Sequence, residues 1–196
     1  LGHVLSSKYG VKFKFNEQVK DIHGLDAPIV STNKEDIPFD KVIICAGVKT
    51  QEFRNKFGDN FRIYPVKGYS ITIDLHDEIS RNAAPYVSIK DDNSKIVSSR
   101  LGNRLRVAGT AELAGENKEI RKERITPLVE WVNDCFPEIN TDNFITWAGL
   151  RPMTSDMVPV MRESKRKNVF YNSGHGHLGW TMAAFAAKFI SDLIED

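Results

Sequence analysis

Lys41-Val42-Ile43-Ile44-Cys45-Ala46-Gly47 carries five apolar residues in a row, 42–46, and closes on a glycine. An unbroken apolar run suits a fully covered parallel strand, and parallel neighbours require crossover connections. The middle of the chain is patterned differently. Tyr86 to Ile89, Lys95 to Ser99 and Arg104 to Gly109 alternate in character and are split by Asp91-Asp92-Asn93 and Gly102-Asn103, which predicts an antiparallel sheet. A chain holding both patterns reads as α/β with an α+β insert. The boundaries are expected near Arg62 and Trp147, giving a discontinuous domain of residues 1–61 and 147–196 around an insert of residues 62–146.

The remaining elements follow from local signals. Gly2 to Tyr9 reads as a helix stopped by Gly10, with Val11 to Phe15 alternating as a strand after it. Val19 to His23 and Pro28 to Ser31 read as extended, Lys49 to Phe57 as a helix, and Arg62 to Asp74 as a long strand or a strand pair broken at Pro65 and Gly68. Glu116 to Cys135 is expected to be helical but split at Thr126-Pro127, where Thr caps and Pro opens a new helix. Strands return at Phe144 to Leu150, Val158 to Met161 and Val169 to Asn172, and Gly179 to Ile194 closes the chain as a helix.

Composition removes several functional classes. The 196 residues hold 27 Lys+Arg against 26 Asp+Glu, so no basic excess points to nucleic acid. Trp180 to Ile190, the most apolar late stretch, is interrupted by Lys188 and is too short to span a bilayer. Cys45 and Cys135 lie far apart and outside metal-type spacings, which favours free thiols and a cytoplasmic setting. The opening Leu1-Gly2-His3-Val4-Leu5 has neither an initiator Met nor a signal-peptide pattern, so the chain is expected to be part of a longer protein. No GxxxxGK[ST], GxSxG, HExxH or CxxC occurs, which weakens the hydrolase and kinase readings.

The strongest local motif is Asn172-Ser173-Gly174-His175-Gly176-His177-Leu178-Gly179-Trp180, a glycine-rich turn between a strand and an alanine-rich helix. Such a turn lets backbone approach a ligand, and a helix start offers unpaired N–H donors to an anionic or carbonyl-rich cofactor. A tight packing turn is the alternative. Gly174, Gly176 and Gly179 spell GxGxxG, but no strand follows the helix, so the dinucleotide βαβ context is missing. His175 and His177 have no cysteine or carboxylate cluster nearby, and no metal is predicted. Arg151 closes the apolar segment Trp147-Ala148-Gly149-Leu150 and needs a partner there, either a carboxylate ligand held by two parallel hydrogen bonds or an internal Asp or Glu. Tyr64 to Tyr69 and Arg106 to Glu112 place glycines in strands, as a close backbone approach or simple packing would.

Lys41 to Gly47, YPVKGYSIT, RLRVAGTAEL, WAGLRPMTSDMVPV and NSGHGHLGWTMA occur in an order that resembles the FAD-dependent D-amino-acid oxidase superfamily, and within it the dehydrogenases of D-amino acids. The resemblance spans nearly all of this chain but only about the second half of such an enzyme. It implies a partial FAD-binding Rossmann-like domain with an inserted antiparallel-sheet substrate domain, and FAD as cofactor. The N-terminal βαβ unit that holds the FAD pyrophosphate would lie in a missing N-terminal half, without which the chain would not bind FAD tightly.

Carried onto this sequence, the resemblance puts Gly174, His175, Gly176, His177, Leu178, Gly179, Trp180 and Thr181 beside the flavin ring, with N–H groups toward its N1 and C2 carbonyl. Val19 would contact the adenine through its backbone, and Ala46 and Gly47 would pass near the cofactor. Arg151 would hold the substrate carboxylate, with Tyr69 and Ala111 near the substrate side chain. The implied reaction is oxidative deamination by hydride transfer to flavin, which asks no nucleophile of the protein. Electrons would pass to a quinone or respiratory carrier, placing the protein in the cytoplasm, peripheral to the inner face of the membrane. The other readings are glycine- or sarcosine-oxidase-like chemistry and a non-catalytic binding module without FAD.

Overall fold

The computed structural model describes residues 1–195. In chain order the elements are α1 (Gly2–Tyr9), β1 (Val19–His23), β2 (Ile29–Thr32), β3 (Asp36–Pro38), β4 (Val42–Ile44), a 3-10 turn (Gly47–Lys49), α2 (Thr50–Phe57), β5 (Tyr64–Asp74), α3 (Glu78–Ala83), β6 (Ile89–Asp91), β7 (Ile96–Leu101), β8 (Arg104–Glu112), α4 (Lys122–Cys135), β9 (Phe144–Met153), β10 (Val160–Glu163), β11 (Val169–Ser173) and α5 (Ala183–Glu195). They form two compact units. One comprises residues 1–61, 160–173 and the described residues from 184 onward; the other comprises residues 62–159 and 174–183.

The first unit holds two small sheets. β1, β2 and β3 make an antiparallel meander, and β10, β11 and β4 make a mixed sheet in which β4 runs parallel to β11, with Val42 opposite Val169 and Ile44 opposite Tyr171. Its core gathers Ile22, Val30, Ile44, Val169 and Tyr171. The apolar run of β4 is parallel, as its composition predicts, but Ile43 is 43% exposed, so within these residues the strand is covered on one face only. Buried Asp59 ties the β10–β11 turn down, accepting from Ser164 Oγ at 2.5 Å, Tyr171 OH at 2.8 Å and the Lys165 N–H at 2.9 Å. Burial pushes the Asp59 carboxyl up, and these donors outweigh it and hold it below the ordinary carboxylate value.

The second unit is a five-stranded antiparallel sheet in the order β6-β7-β8-β5-β9, with α4 against one face. Tyr69, Ile71 and Ile73 of β5 and Leu105 and Val107 of β8 meet Ile125, Leu128 and Val132 of α4 in the core. That packing explains a departure from expectation. Pro127 does not split the helix, because α4 begins only at Lys122 and Ile125, Leu128, Trp131 and Val132, on either side of the exposed proline, pack as one apolar face. Residues 116–121 are not helical.

Other expectations also shift. Residues 11–15 form no strand; they have no ladder partner, and Phe13 and Phe15 stack on each other with centroids 5.9 Å apart. β5 is unbroken. Pro65 lies beyond the last β8 pair, Lys67 with Glu112, so one side of the strand is free where the N–H is missing. The irregularity at Gly68 is a bulge, whose extra residue is Thr110 at φ 53°. The boundary expected at Trp147 falls inside β9, which pairs with β5 from Phe144 to Met153; continuous pairing keeps residues 147–159 with the sheet. The closing helix starts at Ala183, with residues 179–182 in turns.

Candidate functional site

Strand alternation sorts the five-stranded sheet into two faces. On the face away from α4, β9 presents Trp147, Gly149 and Arg151, β5 presents Val66, Gly68 and Ser70, and β8 presents Ala111, with Gly68 opposite both Gly149 and Ala111. The bulge at Thr110 sets this pattern, returning Ala111 to the face of Gly68 and turning Gly109 toward the core.

Two side chains lie over the two glycines. A Cβ at Gly68 would sit 2.0 Å from Arg151 Nη1 and 2.1 Å from its Cζ, so the guanidinium rests on the bare backbone. A Cβ at Gly149 would sit 2.1 Å from Trp147 Cη2, so the far edge of the indole rests there. Arg151 is half-buried, and among the described residues its guanidinium meets no carboxylate and donates no hydrogen bond. Of the two readings its sequence left open, the internal ion pair is therefore not realised. Burial lowers the Arg151 pKa from its ordinary value, although a guanidinium remains a cation. Ser70 Oγ, buried on the same face, also lacks a partner.

Behind Gly68, toward α4, the charges are paired. Lys67 is 0% exposed; its Nζ lies 2.9 Å from Glu112 Oε2 and donates to the Glu119 carbonyl at 3.0 Å. Arg121 Nη1 is 3.0 Å from Glu112 Oε1, and Tyr69 OH donates to Glu112 Oε2. The bonds from Tyr69 and Lys67 hold the Glu112 carboxyl below its ordinary value, while burial alone would raise it. Tyr69 is 1% exposed on this packed face, so its side chain does not join Arg151 and Ala111 on the open one. The sequence reading missed this cluster. Its signal was a lysine and a glutamate among apolar residues of two long strands.

The glycine turn leaves the end of β11. Gly174 and Gly176 have φ of 82° and 57°, in the left-handed region that glycine tolerates. Gly176 N–H donates to the Pro152 carbonyl at 2.9 Å, and His175 bridges Met153, so the turn is stitched to the end of β9. Among the described residues, the N–H groups of His177, Gly179, Trp180 and Thr181 have no acceptor. A cavity of about 40 Å³ between the turn and Met153, Thr154 and Met157 is lined by His175, whose Nε2 is buried without a partner, as is Thr154 Oγ1. Burial lowers the His175 pKa, favouring the neutral ring.

Ala46 and Gly47 lie just past the carboxyl end of β4. Ser173 Oγ donates to the Gly47 carbonyl at 3.1 Å and accepts from Thr50 Oγ1 at 2.9 Å, so Gly47 is held against the residue that precedes the glycine turn. Ligands of parallel sheets commonly sit at such carboxyl ends. Val19 opens β1 in the separate meander sheet. Among the described residues, no three His, Cys, Asp or Glu side chains gather as a metal would need.

The family model for FAD dependent oxidoreductases of the DAO type matches residues 5–193. The chain belongs to the DAO family. It is 44% identical over 193 residues to D-amino acid dehydrogenase 3 of Mesorhizobium japonicum, an alignment covering 96% of this chain and 47% of that protein. Among solved structures it is similar to glycine oxidase from Bacillus cereus, with TM-score 0.78 and 24% identity over 91% of this chain and 50% of that one. L-proline dehydrogenase from P. horikoshii gives TM-score 0.82 at 18% identity, covering 97% and 52%. The chain thus spans about half the length of the relatives it matches. The structural likeness identifies the fold, a partial FAD-binding layer with an inserted antiparallel sheet.

The residues present fit a flavin edge. Four N–H groups without acceptors among the described residues lie along one glycine turn, a donor set suited to a planar, carbonyl-rich ligand lying against backbone. The cavity of about 40 Å³ is too small to enclose a ring system, so the ligand would lie on the turn's open side.

Proposed function

We propose that this chain is the C-terminal part of an FAD-dependent D-amino-acid dehydrogenase, with an amino acid as substrate and a quinone or respiratory carrier as electron acceptor. The observation that carries the reading is Arg151, a half-buried guanidinium without a protein partner on the open face of a sheet, in a chain whose relatives include D-amino acid dehydrogenases. FAD, when bound, supplies the hydride acceptor.

Arg151 holds the substrate carboxylate in a two-bond fork, and that anchoring fixes which bond of the α-carbon faces the cofactor. Ala111 and Gly68 keep the surface beside the guanidinium low. The turn 174–181 would offer its N–H groups to a flavin edge, where such donors would stabilise negative charge. Ala46 and Gly47, just past the carboxyl end of β4, would pass near the cofactor, and Val19 would contact its adenine through the backbone. The substrate-binding part expected at residues 62–146 corresponds to the unit of residues 62–159 and 174–183, which also carries the glycine turn, and the unit of residues 1–61, 160–173 and the described residues from 184 onward is the FAD-binding part. The protein works in the cytoplasm, peripheral to the inner face of the membrane; among the described residues, no helix is long and apolar enough to cross it.

The test is the visible absorption spectrum of the purified chain before and after adding FAD, followed by D-alanine oxidation with a quinone analogue or with oxygen alone. Flavin retention with acceptor-dependent turnover is the expected result for the chain joined to the upstream half of a full-length relative. Turnover with oxygen alone would replace the dehydrogenase with an oxidase, and an Arg151→Lys enzyme with unchanged kinetics would remove the carboxylate assignment.

A further inference from the structure

Trp147 is a large aromatic side chain left 54% exposed on the face that carries Arg151. Its position is held without a core to bury in. The far edge of the ring rests on Gly149, and the Arg106 guanidinium stands 5.3 Å from the ring centroid. Gly149 pairs with Gly68, which lies under the Arg151 guanidinium. Paired residues of an antiparallel ladder stand roughly 4.5–5.5 Å apart, so cation and indole edge are neighbours above a floor that has no side chains.

We propose that Trp147 selects the substrate side chain. With the carboxylate at Arg151, the rest of the amino acid lies along the indole, so the site takes longer apolar side chains over small ones. Arg106 beside the ring repels a cationic side chain. This inference rests on the carboxylate role proposed for Arg151. The selectivity expected of a half-open aromatic wall is about tenfold between D-leucine and D-alanine.

An NMR titration of the nitrogen-15-labelled chain with D-leucine, D-alanine and glycine tests it, reading the Trp147 indole and the Arg151 amide. D-leucine is expected to bind about tenfold more tightly than D-alanine and to move the indole signal. Trp147→Ala should bring the two constants together while leaving glycine unchanged, and Trp147→Phe should restore part of the preference. Arg151→Met should abolish binding of all three. If Arg151→Met does so but Trp147→Ala keeps the D-leucine preference, the inference falls and the Arg151 reading stands. No binding to the unaltered chain, or binding indifferent to Arg151→Met, overturns both.

Discussion

Lys67 and Arg151 stand on the two faces of one sheet, one strand apart, and meet opposite treatment. Lys67 is fully buried and paired with Glu112, which is itself shared with Arg121 and Tyr69. Arg151 is half-buried and has no hydrogen-bond or ion-pair partner among the described residues. A buried charge demands compensation, so the paired cation reads as architecture, and the carboxylate role proposed for Arg151 rests on its lacking such a pair among the described residues. The same division applies to glycines. Gly109 on the packed face lies against Ile96 and Leu128, whereas Gly68 on the open face lies under a flexible arginine.

The contrast can be broken most severely at Glu112. Glu112→Ala strands Lys67 without its carboxylate, and the melting temperature should fall on the order of 10 °C. Arg151→Met should move it by no more than about 2 °C while abolishing carboxylate binding, because no internal interaction is lost. Equal effects in a thermal melt would erase the distinction between the two cations.

Gly109→Ala should destabilise by about 1–3 kcal/mol in denaturant unfolding, since its Cβ would come within 2.8 Å of Ile96 Cγ1 and 3.0 Å of Leu128 Cδ2. The nearest atoms that Gly68→Ala meets all belong to the movable end of Arg151, so stability should hold while affinity for a carboxylate ligand drops about tenfold. A Gly68→Ala chain that binds carboxylates normally would show that the seat of the guanidinium is unimportant.

Acid sharpens the comparison more gently. The Glu112 carboxyl is held below its ordinary value of 4.5, so its contribution is fully present above that pH and is lost as pH falls through the folded value. Glu112→Gln should therefore flatten the loss of stability below about pH 4.5 in acid unfolding curves, whereas Arg151→Met should leave their shape unchanged.

Much of the architecture was legible in short-range pattern. The apolar run at Val42, the alternating segments from Lys95 to Gly109 and the left-handed turn at Gly174 are set by side-chain periodicity and glycine's freedom, which act within a few residues. Arg151 could be singled out because a lone cation in an apolar strand is conspicuous. The sequence also left two answers for that arginine, and it carried no sign of which face Tyr69 would take, how far α4 would run through Pro127, or that Gly68 and Gly149 would pair. Those depend on strand register and on packing between residues far apart in the chain, where one bulge at Thr110 sends Gly109 to the core and Ala111 to the open face. Sequence alone determined most of the strands and singled out Arg151 and the glycine turn, while the strand it suggested at residues 11–15 does not form; only tertiary structure decided which charges were neutralised, because pairing is a matter of distance in space.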